Sequence, residues 1–253
     1  MAGLGAPACI LESMMKRDVP AMRWRNAWTG AALAASALVC VRAGAQNMTL
    51  EQVYAQMDVA APKFQSVEAD VSVDRYTAVV QEHSTQAGTY ALRRTRGAME
   101  MAMHLSAGSD DPETLVLYKN GEAQVYEPAQ KTETVISAGA NKGEFDSMLT
   151  TGFGATSKDL TANWSVSFQG LESVEGVQCA KLDLVPTQQN VKNNFSHVTV
   201  WVDLARDISL KVVMFQPDGD TRTATYTNIR YNKPVVEKTF TLKVPGGVQV
   251  TRR

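Results

Sequence analysis

Short runs in which apolar and polar residues alternate occupy most of this sequence from about residue 64 onward. Two clear cases are residues 67–74 (VEADVSVD) and residues 99–105 (MEMAMHL), and the last predicted strand carries Phe240, Leu242 and Val244. A period of two places successive side chains on opposite faces of a β-strand. About ten or eleven such runs follow one another along the chain, and this predicts a large antiparallel sheet or barrel.

Two turns are predicted between these runs. Asn120-Gly121 lies between residues 115–117 and 123–126, and this dipeptide is the strongest short signal for a two-residue hairpin. Residues 217–220 (PDGD) have the composition of a tight turn. Both signals indicate strands that follow one another directly in an antiparallel sheet.

Two amphipathic helices are predicted outside the alternating pattern. Thr49 can cap the first helix, and Gln52 completes a capping box. The apolar stripe of this helix consists of Leu50, Val53, Tyr54 and Met57. The second helix is predicted within residues 142–149, where the residues with helical spacing are Phe145, Met148 and Leu149. Gly152 is expected to end it, and a further turn is predicted through Ser157 to Leu160. We expect both helices to lie across one face of the sheet.

The first 45 residues have the order of a secretory signal. Basic residues at positions 16–25 precede an uncharged apolar run at 27–41, and Ala43-Gly44-Ala45 supplies the small residues of a cleavage site. The apolar run is shorter than the roughly 20 residues of a membrane-spanning helix. We therefore predict cleavage after Ala45, export to the periplasm, and one domain over residues 46–253. Possible translation starts are Met1, Met14, Met15 and Met22.

Removing this leader changes the charge and the cysteine content of the chain. Residues 46–253 retain 20 basic and 24 acidic residues, a formal net charge of −4. This is unlike the basic footprint of a nucleic-acid-binding protein, and no nucleic-acid partner is expected. Cys179 is then the remaining cysteine, and we predict that it is a buried small hydrophobic residue.

The sequence carries no recognisable catalytic motif. Its three histidines are far apart and lack zinc-ligand spacing, and no Gly-x-Ser-x-Gly elbow is present. Residues 152–158 (GFGATSK) have the composition of a phosphate loop but not its residue order. A pair of carboxylates assembled in space by the fold stays open. We therefore expect neither an enzyme nor a bound cofactor.

Several segments in order resemble the LolA family of periplasmic carriers of outer-membrane lipoproteins. The resemblance spans about residues 50–250. After an N-terminal helix, the segments that carry it are residues 88–94 (GTYALRR), 117–121 (LYKNG), 125–128 (VYEP), 200–203 (VWVD) and 240–248 (FTLKVPGGV).

The resemblance implies a single curved antiparallel sheet that forms an unclosed β-barrel, with short helices as a lid over an apolar cavity. It also implies that the cavity binds the acyl chains of lipoproteins. The resemblance further implies two partners. An inner-membrane ABC-type complex releases the lipoprotein to the carrier, and an outer-membrane acceptor receives it. A monomer is expected.

The same resemblance implies site residues. A lid latch, formed by hydrogen bonds from an arginine to the lid backbone, falls on Arg94, with Arg93 and Arg96 as alternatives. The lid helices contribute Leu50, Val53, Met57, Phe145, Met148 and Leu149. Candidate apolar cavity residues are Met101, Met103, Leu117, Trp201 and Phe215.

The sequence is also compatible with two other functions. One is an envelope module on the same fold that senses lipids or lipoproteins, or regulates a response to them, without carrying them. The other is an enzyme or a structural envelope protein that shares only the fold, because a fold alone does not determine function.

Overall fold

The alternating runs form one twelve-stranded sheet. The computed structural model describes residues 48–96, 98–137 and 151–252. Its strands are β1 (Ser66–Thr77), β2 (Glu82–Thr95), β3 (Ala98–Ser106), β4 (Thr114–Lys119), β5 (Glu122–Glu127), β6 (Thr132–Ser137), β7 (Trp164–Val174), β8 (Val177–Pro186), β9 (His197–Asp203), β10 (Ile208–Phe215), β11 (Thr221–Tyr231) and β12 (Gln249–Arg252). The described helices are α1 (Leu50–Ala60), α2 (Ser157–Asn163) and α3 (Gln189–Lys192), with 3₁₀ turns at Ala61–Lys63 and Glu237–Phe240.

The strand order makes the sheet curved and open. It runs β12-β6-β5-β4-β3-β2-β1-β11-β10-β9-β8-β7, so β1 and β11 bring the two halves of the chain together. All described pairings are antiparallel except that of β12 with β6. The first and last strands in this order, β12 and β7, are not paired with each other. The unclosed, mainly antiparallel sheet with short helices that the sequence predicts is thus confirmed, with twelve strands among the described residues where about ten or eleven were expected.

The N-terminal helix forms as its capping signals predict. The Thr49 hydroxyl accepts a hydrogen bond from the Gln52 amide, and the Gln52 side chain accepts one from the Thr49 amide. Val53 and Met57 are fully buried, and Leu50 is partly buried against the same cluster. The helix continues into the 3₁₀ turn Ala61–Lys63, which contains Pro62.

A second helix, α2, follows the Gly152–Gly154 loop, whereas other predicted segments lie outside the described residues. The helical turn predicted through Ser157 to Leu160 is part of α2, and a second capping box formed by Thr156 and Asp159 begins this helix. The predicted helix within residues 142–149, with Phe145, Met148 and Leu149, lies outside the described residues, as does the leader with Ala45. Among the described residues, no helix is both long and apolar enough to cross a membrane.

Both predicted turns are present. Asn120 and Gly121 have φ of 56° and 78°, the left-handed pair that a two-residue hairpin of type I′ requires, and they join β4 to β5. The turn between β10 and β11 contains Gly219 with φ of 92°. Cys179 is fully buried in β8, and burial raises the pKa of its thiol to about 11. The thiol is therefore protonated at neutral pH, as expected of a buried hydrophobic residue.

The sheet has an inner face and an outer face. The inner face is the one that packs against α1, Phe64 and Phe153, and the outer face is the opposite one. The segment that follows β11 lies on the outer face, where Phe240 is buried together with Ala91, Ala102 and Leu117. Arg93 places its guanidinium over the Phe240 ring at 4.1 Å.

This segment corrects one prediction from the sequence. The alternation of Phe240, Leu242 and Val244 indicates a strand, but residues 237–240 form a 3₁₀ turn and residues 241–248 join no strand. The chain enters the sheet only at β12. A segment that lies flat on a sheet also buries alternate side chains, and this explains why its pattern imitates a strand.

We predict that Phe240→Ala lowers the free energy of unfolding by about 3–5 kcal/mol, the usual cost of truncating a buried phenylalanine. Val236→Ala in the same segment is the control, because Val236 is 69% exposed and its truncation should change stability by less than about 0.5 kcal/mol. Urea unfolding of both variants measures the difference. Similar small losses would show that this segment does not pack on the sheet.

Candidate functional site

The inner face of β2 to β6 is a continuous apolar surface. Tyr90 and Leu92 of β2 lie directly opposite Met103 and Met101 of β3. The same buried cluster extends across the next strands through Val116, Tyr118, Ala123, Val125 and Ile136. Unbranched methionine side chains adapt to neighbours of different shape, so this surface can repack around different apolar groups.

The structure places one of the five candidate cavity residues apart from the others. Met101 and Met103 are on the inner face, as described. Leu117 is on the outer face against Phe240, whereas its neighbours Val116 and Tyr118 belong to the inner cluster.

The two aromatic candidates belong to the same extended cluster as the methionines, with Trp201 buried in it and Phe215 packed against it. Trp201 alternates with Val200 and Val202, which face α1, and its ring lies near Lys181 and Lys211 at 5.1 and 4.7 Å. Phe215 stacks on His197 with ring centroids 4.0 Å apart. Leu117 is therefore the candidate that the fold separates from the methionines, because it packs with Phe240 in a cluster of its own. Strands that are apolar on both faces hide this from the sequence.

Phe153 plugs the centre of the inner face. Its ring centroid lies 5.3 Å from that of Tyr90 and 5.3 Å from that of Tyr226, which face it from β2 and β11. Burial raises the pKa of both tyrosines, so their hydroxyls are neutral. We call Gly152, Phe153 and Gly154 the plug loop.

Hydrogen bonds tie the plug loop to the turn between β9 and β10. The Gly154 amide donates to the Asp207 carbonyl at 2.8 Å, and the Ser209 amide donates to the Gly152 carbonyl. Phe153 itself forms an isolated bridge with Ile208. The loop is thus bound like a short extra strand beside the start of β10.

The two glycines are required where they stand. Gly152 and Gly154 have φ of 81° and 68°, a region that other residues rarely adopt. A Cβ on Gly154 would lie 2.7 Å from the Phe64 ring, and one on Gly152 would collide with the Ser209 side chain. The loop can approach the sheet this closely only because both residues lack a side chain.

Arg94 joins the plug loop to the end of the N-terminal helical segment. Its guanidinium donates to the carbonyl of Ala61 at 3.0 Å, to that of Phe64 at 3.4 Å and to that of Gly154 at 2.8 Å. Its own amide donates to the Gln65 carbonyl. One side chain from β2 therefore holds two segments that lie over the inner face.

The two alternative arginines are placed differently. Arg93 points to the outer face, where its Nε donates to Glu100 at 2.7 Å and its Nη2 to Glu237. Arg96 is exposed in the turn between β2 and β3, with φ of 49°. Of the three candidates, Arg94 is the one whose guanidinium contacts the backbone over the inner face.

Asp207 lies beside this contact and is fully buried. Neither of its carboxylate oxygens has a hydrogen-bond partner within the described part of the chain. Burial raises the pKa of Asp207 to about 8, the positive charge of Arg94 lowers it, and the negative charges of Asp58 and Asp159 raise it. The carboxyl group is therefore mostly protonated at neutral pH.

Sequence reasoning missed Phe153 and Asp207. The glycines on both sides of Phe153 are a usable signal, because they indicate a backbone that must approach another surface closely. In the sequence they suggest only a flexible loop. Asp207 follows Asp203 and Arg206 in a polar turn, and nothing in that pattern indicates burial.

Comparisons with known proteins find likenesses of fold only. No family model matches this chain, and no curated protein matches its sequence. One similar solved structure is a lipoprotein-sorting protein domain from Vibrio parahaemolyticus, with 17% identity over 75% of this chain and 94% of that one, and a TM-score of 0.41. A LolA superfamily protein from Nitrosomonas europaea has 12% identity over 77% and 98%, with a TM-score of 0.40. The lipoprotein LppX from Mycobacterium tuberculosis has 14% identity over 74% and 99%, with a TM-score of 0.43.

We predict that Gly154→Ala is more destabilising than a matched glycine substitution elsewhere. Gly176 is the control, because it also has a positive φ of 77° but a Cβ there would meet nothing within 4 Å. Backbone strain should cost each variant about 1 kcal/mol, and the collision with Phe64 should add about 1–3 kcal/mol at Gly154. Chemical denaturation measures both. Equal losses would mean that the plug loop is not held against Phe64.

Proposed function

We propose that this chain is a periplasmic carrier that shields the acyl chains of lipoproteins against the inner face of its sheet and moves them from the inner to the outer membrane. The observation that carries the proposal is the contact of Arg94. A single cation holds two covering segments over a broad apolar surface by hydrogen bonds to three main-chain carbonyls. Such a polar fastening can open without disrupting the core of the sheet.

The energetics of acyl burial favour a cover of this kind. Each buried methylene contributes about 0.8 kcal/mol, so a dozen methylenes contribute on the order of 10 kcal/mol. A carrier that gained all of this free energy could not release its cargo. Charge-assisted hydrogen bonds contribute about 1.5–3 kcal/mol each, so breaking the Arg94 contacts on loading would reduce the net affinity to a reversible level.

The inner face also suits a cargo with variable acyl chains. Phe153 occupies the position between Tyr90 and Tyr226 that an acyl chain would take when the plug loop lifts. Met101 and Met103 lie on the same face, where their flexible side chains can follow chains of different length. We propose that α1, through Leu50, Val53 and Met57, and the segment with Phe145, Met148 and Leu149 form the lid.

The remaining parts of the proposal concern location and partners. We propose that the leader is cleaved after Ala45 and that residues 46–253 act as one domain in the periplasm. An inner-membrane ABC-type release complex would supply the lipoprotein and an outer-membrane acceptor would take it, with the carrier acting as a monomer. No catalytic step belongs to this cycle.

Native mass spectrometry of the protein isolated from the periplasm tests the proposal directly. We expect the exported protein to co-purify with an acylated ligand, and we expect a purified triacylated lipoprotein to bind the delipidated protein in a one-to-one complex. A chain that sheds its leader but binds neither acylated lipoprotein nor phospholipid would contradict the proposal. Binding that changes only the interaction with another protein would instead favour an envelope sensor.

We predict that Arg94→Leu retains bound acyl ligand more tightly than the wild type. Because loading no longer has to break the Arg94 hydrogen bonds, the dissociation rate of a fluorescent acyl probe should fall about tenfold or more, and a tenfold change corresponds to 1.4 kcal/mol. Arg93→Leu is the matched control, since Arg93 bonds to Glu100 and Glu237 on the outer face. Thermal unfolding of both variants checks that the fold is retained. Unchanged probe release in folded Arg94→Leu would remove the latch from the proposal.

A further inference from the structure

We infer that Asp207 is the second partner of Arg94, and that its buried carboxylate takes up the guanidinium when the plug loop lifts from the sheet. The inference rests on the proposed function for its purpose, the regulation of the same site. Its physical basis is the arrangement of Arg94, Gly154 and Asp207 in the described structure.

Gly154 contacts both members of the proposed pair. Its carbonyl accepts from Arg94 Nη2 at 2.8 Å, and its amide donates to the main-chain carbonyl of Asp207 at 2.8 Å. Asp207 itself has φ of 53° and donates its amide to the Asp203 carbonyl. The plug loop is therefore inserted between the latch arginine and the turn that carries the buried acid.

In the closed structure Arg94 and Asp207 differ in how well their hydrogen-bonding groups are satisfied. Arg94 has three carbonyl acceptors, while the Asp207 carboxylate has no partner among the described residues. A buried carboxylate without a partner is costly, and it avoids the full cost by remaining protonated. Once Gly154 moves away, Arg94 loses one of its acceptors, and Asp207 can replace it with a charged one.

The other charged and titratable groups near Asp207 already have partners, and that of Tyr231 is Asn232. Those that act on it or share its turn or its surroundings are Arg94, Asp58, Asp159, Tyr231, Asp203 and Arg206. Asp203 accepts from the Arg206 Nε at 2.6 Å. Asp58 accepts from the amide and the hydroxyl of Ser157, both at 2.7 Å, and Asp159 caps α2. Exchange with Arg94 therefore requires breaking none of these pairs.

The exchange couples opening to the release of a proton. In the closed state the pKa of Asp207 is raised to about 8, whereas a solvated or paired aspartate has a pKa near 3.9 or below. The closed state therefore binds the proton more tightly, and rising pH favours the open state. Between these two pKa values the opening equilibrium should increase by up to about tenfold per pH unit.

Hydrogen exchange of two amides reports this opening without any lipid. The Gly154 amide and the Ser209 amide donate across the contact between the plug loop and the β9–β10 turn. In the lipid-free protein we expect their protection, after correction for the intrinsic exchange rate, to fall from pH 5.5 to pH 7.5 by up to about tenfold per unit. Protection that stays constant over this range in the wild-type protein would overturn the inference.

Variants then identify the groups involved. Asp207→Asn keeps the shape but cannot ionise, so both amides should be more protected than in the wild type at pH 7.5 and should lose the pH dependence. Asp58→Asn is the control, since this carboxylate is already bonded to Ser157, and it should retain the wild-type pH dependence. A folded Asp207→Asn protein that keeps that dependence would assign it to another group.

A double-variant cycle tests whether Arg94 is the partner. If Arg94 and Asp207 pair in the open state, Asp207→Asn should increase protection less in an Arg94→Gln background than in the wild-type background. Equal increases in the two backgrounds would overturn the pairing. None of these hydrogen-exchange measurements uses lipid. If they give the expected results but the protein fails to bind acyl ligand, only the carrier function is rejected.

Discussion

Within the described residues, no second sheet covers the inner face of this open, curved sheet, and the rest of the structure depends on how that face is covered. Helix α1 covers one part of it, and Phe64 and Phe153 cover another. Covering segments also bring carbonyl groups against an apolar surface, where each needs a donor. Arg94 supplies donors to carbonyls 33 and 60 residues away in sequence. The Arg94 hydrogen bonds are thus needed because the segments that cover the apolar face bring their carbonyl groups with them.

The strengths of the two kinds of cover are comparable. Burying the side chain of Phe153 contributes about 1.5–3 kcal/mol, and one hydrogen bond from a charged donor such as Arg94 contributes a similar amount. A few buried methylenes, at about 0.8 kcal/mol each, would offset either contribution. The cover is therefore strong enough to close the empty protein and weak enough for an amphiphile to displace it.

The sequence predicts the strands well because their signal is local, and it predicts the faces less well. Met101 and Met103 have small or polar neighbours, so their face is clear. In β4, Val116, Leu117 and Tyr118 are consecutive apolar residues, and which of them turn inward depends on pairing with β3. The position of Asp207 depends on three segments that are distant in sequence, so no local pattern could indicate its burial.

The burial of Asp207 affects the balance between the closed and the open state. A fully buried acid without a described partner is a net cost to the closed state, and a hydrophobic residue of similar size would avoid it. This cost of burial favours opening only if the open state removes it. Arg94 can remove it by pairing with the Asp207 carboxylate in the open state. By destabilising the closed state relative to one in which Arg94 is released, the acid keeps the two states close in free energy. Two states that differ by only a few kcal/mol are what a modest ligand or a proton can shift.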